Sequence, residues 1–266
     1  MESLSESFLL ASRSAPPYDE GWRAAAYCVD LDEESHEGTI IINGAAETVP
    51  EVGAVARAAI RAFAVPCSIN CYHTGPRSIG APPHSDVQEI IALQCAGSQR
   101  WRVWRPEVFE EVGKAVAFEP RGPPALDVTL SVGEALYVPF AWPHATETDA
   151  SPSLHATLGL DLVAFGFDHF PLGTLRDVES CAKLVGRDRA RQLVRHNREV
   201  LAAQTALYTV ESTETKAAGA RDWARRYRRY AAETSRAVAD FRGTPAVPDA
   251  AIDLYVQTKL EARGFS

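Results

Sequence analysis

The hydrophobic pattern changes period twice along the chain. From Pro50 to Phe63 apolar positions recur at helical spacing, which predicts one amphipathic helix with Pro50 near its start and a short turn leading into the strand SINCY. From there to about residue 165 the runs EIIALQC, RWRVW, EALYVPF and LHATLGLDLV are short and rich in β-branched and aromatic residues. Gly, Pro, Asp or Ser separates them. This spacing predicts an antiparallel barrel or jelly roll. After FDHFPLGTL the texture turns helical. VESCAKLVGRDRARQLVRHNREVLAAQTALY contains helix formers throughout, and Trp223, Tyr227, Tyr230, Val238 and Phe241 fall on one stripe of a second helical stretch. Gly243 and Pro245 mark its end, and a last helix beginning near Asp249 carries Ile252, Val256 and Leu260. The expected fold is mainly β with helical additions: a jelly-roll domain over residues 1–170, then a C-terminal helical region over 171–266. The aromatic stripe reads as core or as the face of a homodimer.

Composition supports a folded, soluble chain. Of 266 residues 46% are hydrophobic and 23% charged, and no apolar run approaches the roughly 18 residues that span a bilayer. The N-terminus MESLSESFLLASRS lacks a basic region ahead of its short apolar run, so neither a secretory signal nor a membrane partner is expected. The five cysteines, Cys28, Cys67, Cys71, Cys95 and Cys181, are scattered without zinc-ribbon spacing and suit a reducing cytoplasm. A net charge of -8 argues against direct nucleic-acid binding, although residues 176–230 hold 13 Lys/Arg against 7 Asp/Glu. That basic stretch reads as a solvated helical face.

The segment NCYHTGPRSIGAPPHSD, residues 70 to 86, carries the candidate chemistry. Its Gly- and Pro-rich middle reads as a loop between strands. On an extended backbone His84 and Asp86 share one face, so local geometry supplies two metal ligands at one spot. A third comes from another strand, and His144 in EALYVPFAWPHATET, framed by Pro139 and Pro143, is the candidate. Two imidazoles and a carboxylate leave octahedral positions open, the arrangement suited to non-haem Fe(II) and oxygen. His73 alternates away from Tyr72. His36 and His196 read as exposed positions in a loop and a helix, and Asp168 with His169 as a turn. No nucleophile elbow, P-loop or dinucleotide fingerprint is present.

The run NCYHTGPRSIGAPPHSDVQEIIALQCAGSQRWRVWRP, followed by LSVGEALYVPFAWPHATET and SLHATLGL, resembles the JmjC-type cupin oxygenases of the ribosomal-oxygenase-like branch over residues 38 to 162. The resemblance implies a double-stranded β-helix with Fe(II) held by His84, Asp86 and His144. It implies 2-oxoglutarate as cosubstrate, with Asn70, Tyr72 and Thr74 lining its pocket, and molecular oxygen as oxidant. The implied reaction is hydroxylation of an unactivated C–H bond on an amino-acid side chain of a protein or peptide; a small-molecule substrate also suits so short an N-terminal segment. The chain departs from the family at Gln99, where a Lys or Arg usually pairs with the distal carboxylate of 2-oxoglutarate. His155, alternating with Ser153 and Thr157, has two readings: a buried, hydrogen-bonded imidazole, or a pocket residue that supplies positive charge toward a carboxylate. Gln99 also motivates an alternative, a cupin metalloenzyme that does not use 2-oxoglutarate. A non-catalytic binding module is a third reading, separated from the others by metal content.

Overall fold

In a computed structural model of the chain, residues 10–12, 24–26, 38–86, 88–106, 122–161, 174–209 and 213–261 are described. β1 (Leu10–Ser12) and β2 (Ala24–Ala26) form a two-stranded ribbon. A four-stranded sheet runs in the order β5 (Ile79–His84), β10 (His144–Glu147), β7 (Ser98–Val103) and β8 (Leu126–Ser131). A five-stranded sheet runs in the order β3 (Thr39–Ile42), β4 (Cys67–Thr74), β11 (Ser153–Leu160), β6 (Glu89–Ala96) and β9 (Ala135–Val138). Neighbouring pairs such as β7–β8 and β3–β4 are antiparallel, as the alternating pattern predicts.

Alternation decides what lies between the sheets. Ile90 and Ala92 from β6, Trp101 and Val103 from β7, Leu130 from β8 and Val138 from β9 form one buried cluster. Both sheets contribute to it, which is the packing of a jelly roll. Between β6 and β7 the chain reverses at Gly97, whose φ is +62° and whose Cβ position would lie 2.1 Å from the Pro152 carbonyl oxygen. Only glycine meets both conditions.

The Gly- and Pro-rich stretch expected as a loop is in part a strand. Residues 79–84 form β5, at the edge of its sheet, bridged antiparallel to β10 with His144 opposite His84 and Thr146 opposite Ala81. An edge strand tolerates Pro82 and Pro83 because one of its sides carries no ladder.

The remaining elements are helical: α1 (Ala45–Thr48), α2 (Pro50–Phe63), α3 (Val178–Val185), α4 (Arg187–Leu207), α5 (Thr213–Arg242) and α6 (Asp249–Glu261). By contacts the chain divides into two compact units. One is Met1–Asn43 with Ile69–Gly159, the other Gly44–Ser68 with Leu160–Ser266, so the early helix α2 groups with the C-terminal helices. The boundary expected at residue 170 and the Asp168–His169 turn lie outside the described residues, as does His36. The helical run expected over 178–208 is broken at Gly186 (φ +81°), where the chain leaves α3 and enters α4.

Trp223, Tyr227, Tyr230 and Val238 are buried along α5, as their spacing predicts. Phe241 lies on the same face yet is 55% exposed, because periodicity identifies a face and not where along the helix its neighbours end. Within this unit Asp161 is buried and accepts hydrogen bonds from Tyr227 (2.9 Å) and Tyr255 (2.5 Å). Burial and the Asp161 charge raise the Tyr227 hydroxyl well above its ordinary pKa, keeping it a donor. His196, expected on the surface, is buried instead, with Nδ1 2.7 Å from Glu233 of α5. Its partner lies far away in sequence, which helical periodicity does not disclose. In α6 Ile252, Val256 and Leu260 are the buried positions, as expected.

Candidate metal centre

The edge pairing of β5 with β10 builds the centre. It sets His84 directly opposite His144, and the ring centroids lie 4.3 Å apart at an interplanar angle of 57°. Asp86 follows two residues after His84, just past the end of β5, with Oδ2 3.6 Å from His144 Nε2. One ligand atom from each of His84, Asp86 and His144 falls within 4.8 Å of the others. His84 and Asp86 are partly exposed and His144 is buried, so the group sits at a mouth with one ligand rooted in the interior.

The tautomer of His144 follows from its neighbours. Nδ1 lies 3.1 Å from the Trp142 carbonyl oxygen, which can only accept. Nδ1 therefore carries the proton and Nε2 presents its lone pair toward Asp86, as a ligating imidazole requires. Burial, with a smaller contribution from nearby His84, lowers the His144 pKa from 6.5 to about 4 against the opposing pull of Asp86. The Trp101 indole covers this ring, stacked at 5.8 Å and 26°.

Behind the centre lies a cavity of about 20 Å³, lined by Tyr72, Thr146 and His155 besides the three ligands. That is room for about one water. His155 is buried and stacks on Tyr72 at 4.7 Å and 4°, and its Nδ1 donates to Gln99 Oε1 at 3.2 Å. Burial, with His144 nearby, lowers its pKa to about 3, so of the two readings the buried, hydrogen-bonded imidazole stands and the source of positive charge does not. Tyr72 keeps part of its surface exposed, while burial and the Asp86 charge push its hydroxyl pKa up. Asn70, two residues earlier, hydrogen-bonds Tyr72. Of the expected pocket residues, Asn70, Thr74 and Gln99 are not among those that line this cavity; the Thr74 hydroxyl pairs with Thr39 at 3.1 Å.

β7 alternates as predicted. Gln99 and Trp101 are buried, while Arg100 pairs with Asp127 and Glu147, and Arg102 with Glu147, on the opposite face. Sequence reasoning missed Thr146 and Trp101 as site residues. The available signal was register: Thr146 lies two residues from His144 on one strand, and Trp101 two residues from Gln99 on another.

Two imidazoles held neutral in the folded chain have a measurable consequence. On unfolding, His144 and His155 regain a pKa near 6.5 and take up protons that the native state refuses between that value and 3 to 4. Their contribution is thus present above pH 6.5 and lost as the pH falls below it. The metal-free protein is expected to unfold at a lower denaturant midpoint at pH 4.5 than at pH 7, and His155→Gln should narrow the difference.

The JmjC domain family matches residues 50–165. Among curated relatives, the Drosophila persimilis "Bifunctional lysine-specific demethylase and histidyl-hydroxylase NO66" is 39% identical over 92 residues, 34% of this chain and 13% of the relative. "Ribosomal oxygenase 2" of Rattus norvegicus is 36% identical over 94 residues, 34% of this chain and 20% of the relative. The chain therefore spans a fifth or less of the length of these two proteins. Among solved structures, the Escherichia coli ribosomal oxygenase YcfD aligns at 14% identity with a TM-score of 0.45, covering 73% of this chain and 59% of that one. The JmjC match thus takes in β4 to β11 and all three of His84, Asp86 and His144.

Proposed function

We propose that the protein is an Fe(II)- and 2-oxoglutarate-dependent oxygenase that hydroxylates a C–H bond on an amino-acid side chain of a protein or peptide. The observation that carries this reading is the convergence of His84, Asp86 and His144 at a partly exposed mouth, with the proton of His144 fixed on the nitrogen that faces away. This donor set fits Fe(II): two neutral imidazoles and one carboxylate, few enough to leave positions open. Iron held there supplies the oxidising chemistry, with 2-oxoglutarate and oxygen as reactants. The chain's own residues do the rest. Asp86 provides the anionic ligand, His144 is oriented by Trp142, and the Trp101 indole shields the buried side from water. The names of the relatives, histidyl hydroxylase and ribosomal oxygenase, support a protein substrate. The free cysteines support a reducing cytoplasm as the compartment.

The test is aerobic turnover of the iron-loaded protein with 2-oxoglutarate and a pool of ribosomal proteins. A gain of one oxygen atom on a peptide, matched by succinate, is expected. Stoichiometric iron without 2-oxoglutarate consumption would overturn the reading. It would favour the cupin metalloenzyme without that cosubstrate, which the neutral Gln99, standing where the family usually has a Lys or Arg, also supports.

A further inference from the structure

The basic stretch over residues 176–230, with 13 Lys/Arg against 7 Asp/Glu, is not spread evenly over the helical unit. On α4 the exposed positions Arg191, Arg195, Arg198, Ala202 and Ala206 recur every three or four residues, so they form one stripe along the helix. At about 1.5 Å per residue the stripe is roughly 22 Å long. Two cavities open along it. One, of about 490 Å³, lies toward Val178 of α3 and Asp222 of α5. The other, of about 690 Å³, lies toward Ile60 of α2 and the turn Thr174–Arg176. Arg198 and Ala202 line both, so the two adjoin as one open groove.

Its charge is one-sided. Six arginines, Arg61, Arg176, Arg191, Arg195, Arg198 and Arg226, line it against the two carboxylates Glu199 and Asp222, a local excess of four positive charges on a chain of net charge -8. Arg226 is held by Asp222 and Arg191 by Asp188. Arg61, Arg176, Arg195 and Arg198 meet no carboxylate among the described residues; Arg176 donates to the Ala62 carbonyl and Arg198 to that of Arg176. Each of these four guanidinium groups is exposed and keeps N–H donors in a planar fork that fits a carboxylate. Between the charges the lining is apolar. Ile60, Leu175 and Val194 are buried, Leu201 is half-buried, and the small Ala202 and Ala206 leave room on the stripe for a chain to lie against it.

We propose that this groove docks a peptide segment of a partner protein in which acidic residues are interspersed with apolar ones. Arg61, Arg176, Arg195 and Arg198 pair with its carboxylates, and its apolar side chains cover Leu201, Ala202 and Ala206. A nucleic-acid strand matches this lining less well. Its phosphates suit the arginines, but its bases bind by stacking on aromatic side chains, and none lines the groove among the described residues. The acidic remainder of the chain also repels a polyanion of many charges more than a short peptide of few. The proposal concerns the helical unit alone and holds whether or not the metal centre is an oxygenase.

The test selects phage-displayed random peptides of about twelve residues, long enough to lie extended along the groove, on the immobilised full chain. Enrichment of Asp and Glu spaced among Leu, Ile, Val or Phe is expected. The most enriched peptide, synthesised and followed by fluorescence anisotropy, should bind the double variant Arg195→Glu, Arg198→Glu about tenfold or more weaker than wild type. Its affinity for wild type should fall as salt is raised. Ala202→Phe, which fills the groove and keeps the arginines, should weaken it as well. Both sites are exposed, so melting curves of the variants should match wild type. No enrichment of acidic peptides, or an affinity that neither variant moves, would overturn the proposal. So would tighter binding of a single-stranded RNA of about twelve nucleotides, lost in the double variant, which would make the groove a phosphate site. A dimer in sedimentation that either variant dissociates would also overturn it, since a second copy would then cover the groove.

Discussion

His84→Ala and Asp86→Ala are each expected to lower metal affinity and turnover by more than about a hundredfold while leaving the fold intact. The size follows from the ligand count. Losing a group that merely orients a ligand typically costs about 10- to 100-fold in metal affinity or activity, and losing one of three ligands removes the bond itself. Survival of the fold follows from placement. Both residues are partly exposed at the end of an edge strand, and neither belongs to the buried cluster of Ile90, Trp101, Leu130 and Val138. His144→Ala should differ, because that ring is buried under Trp101 and its loss removes packing as well as a ligand. Metal content after dialysis against Fe(II), read beside the circular-dichroism spectrum, separates the cases. A metal-free His84→Ala with a collapsed spectrum would make the group structural, and undiminished iron in either variant would remove these residues from the ligand set.

The two metal-bearing strands show how far the sequence reaches. His84 and Asp86 are legible together because their spacing is local and extended backbone has period two. His144 is legible as a candidate, but its place opposite His84 is set by the pairing of β5 with β10, sixty residues apart, which no local pattern encodes. The strand itself was hidden: IGAPPH contains two prolines and reads as a loop unless its edge position is known. On β7 alternation placed Gln99 and Trp101 inward and the arginines outward, since one face of a half-buried strand must be apolar or satisfied.

The protonation of the site was less accessible. Of the two readings of His155, a buried hydrogen-bonded imidazole or a source of positive charge, only the first agrees with its place in the cavity. Stacking on Tyr72 and complete enclosure make the charged form costly, and enclosure is a property of the assembled sheets, not of the strand SLHATLGL. The same reasoning covers His196, buried against Glu233, and the break at Gly186, where helix formers on both sides concealed a backbone conformation that only glycine adopts readily.

Trp101→Ala should produce the largest loss of stability of any single change near the site, about 3–5 kcal/mol by the usual cost of truncating a buried aromatic. The indole is 2% exposed and fills the space between the sheets. It contacts two functional rings at once, stacked on His144 at 5.8 Å and edge-on to His155 at 5.3 Å and 72°. Removing it leaves a void against both rings, beneath the strand β10 that carries His144. The effect should therefore reach function: His144 keeps its bond to Trp142 but loses the surface that fixes its tilt, so metal affinity should fall although no ligand atom is changed. Trp101→Phe keeps an aromatic surface and abandons Nε1, an unpartnered donor among the described residues, so it should recover most of the stability. Chemical denaturation of the metal-free variants, followed by iron binding on those that fold, measures both effects. A Trp101→Ala protein as stable as wild type would show that the two sheets do not depend on this side chain for their packing, and unchanged iron affinity would show that His144 is oriented by its backbone bond alone.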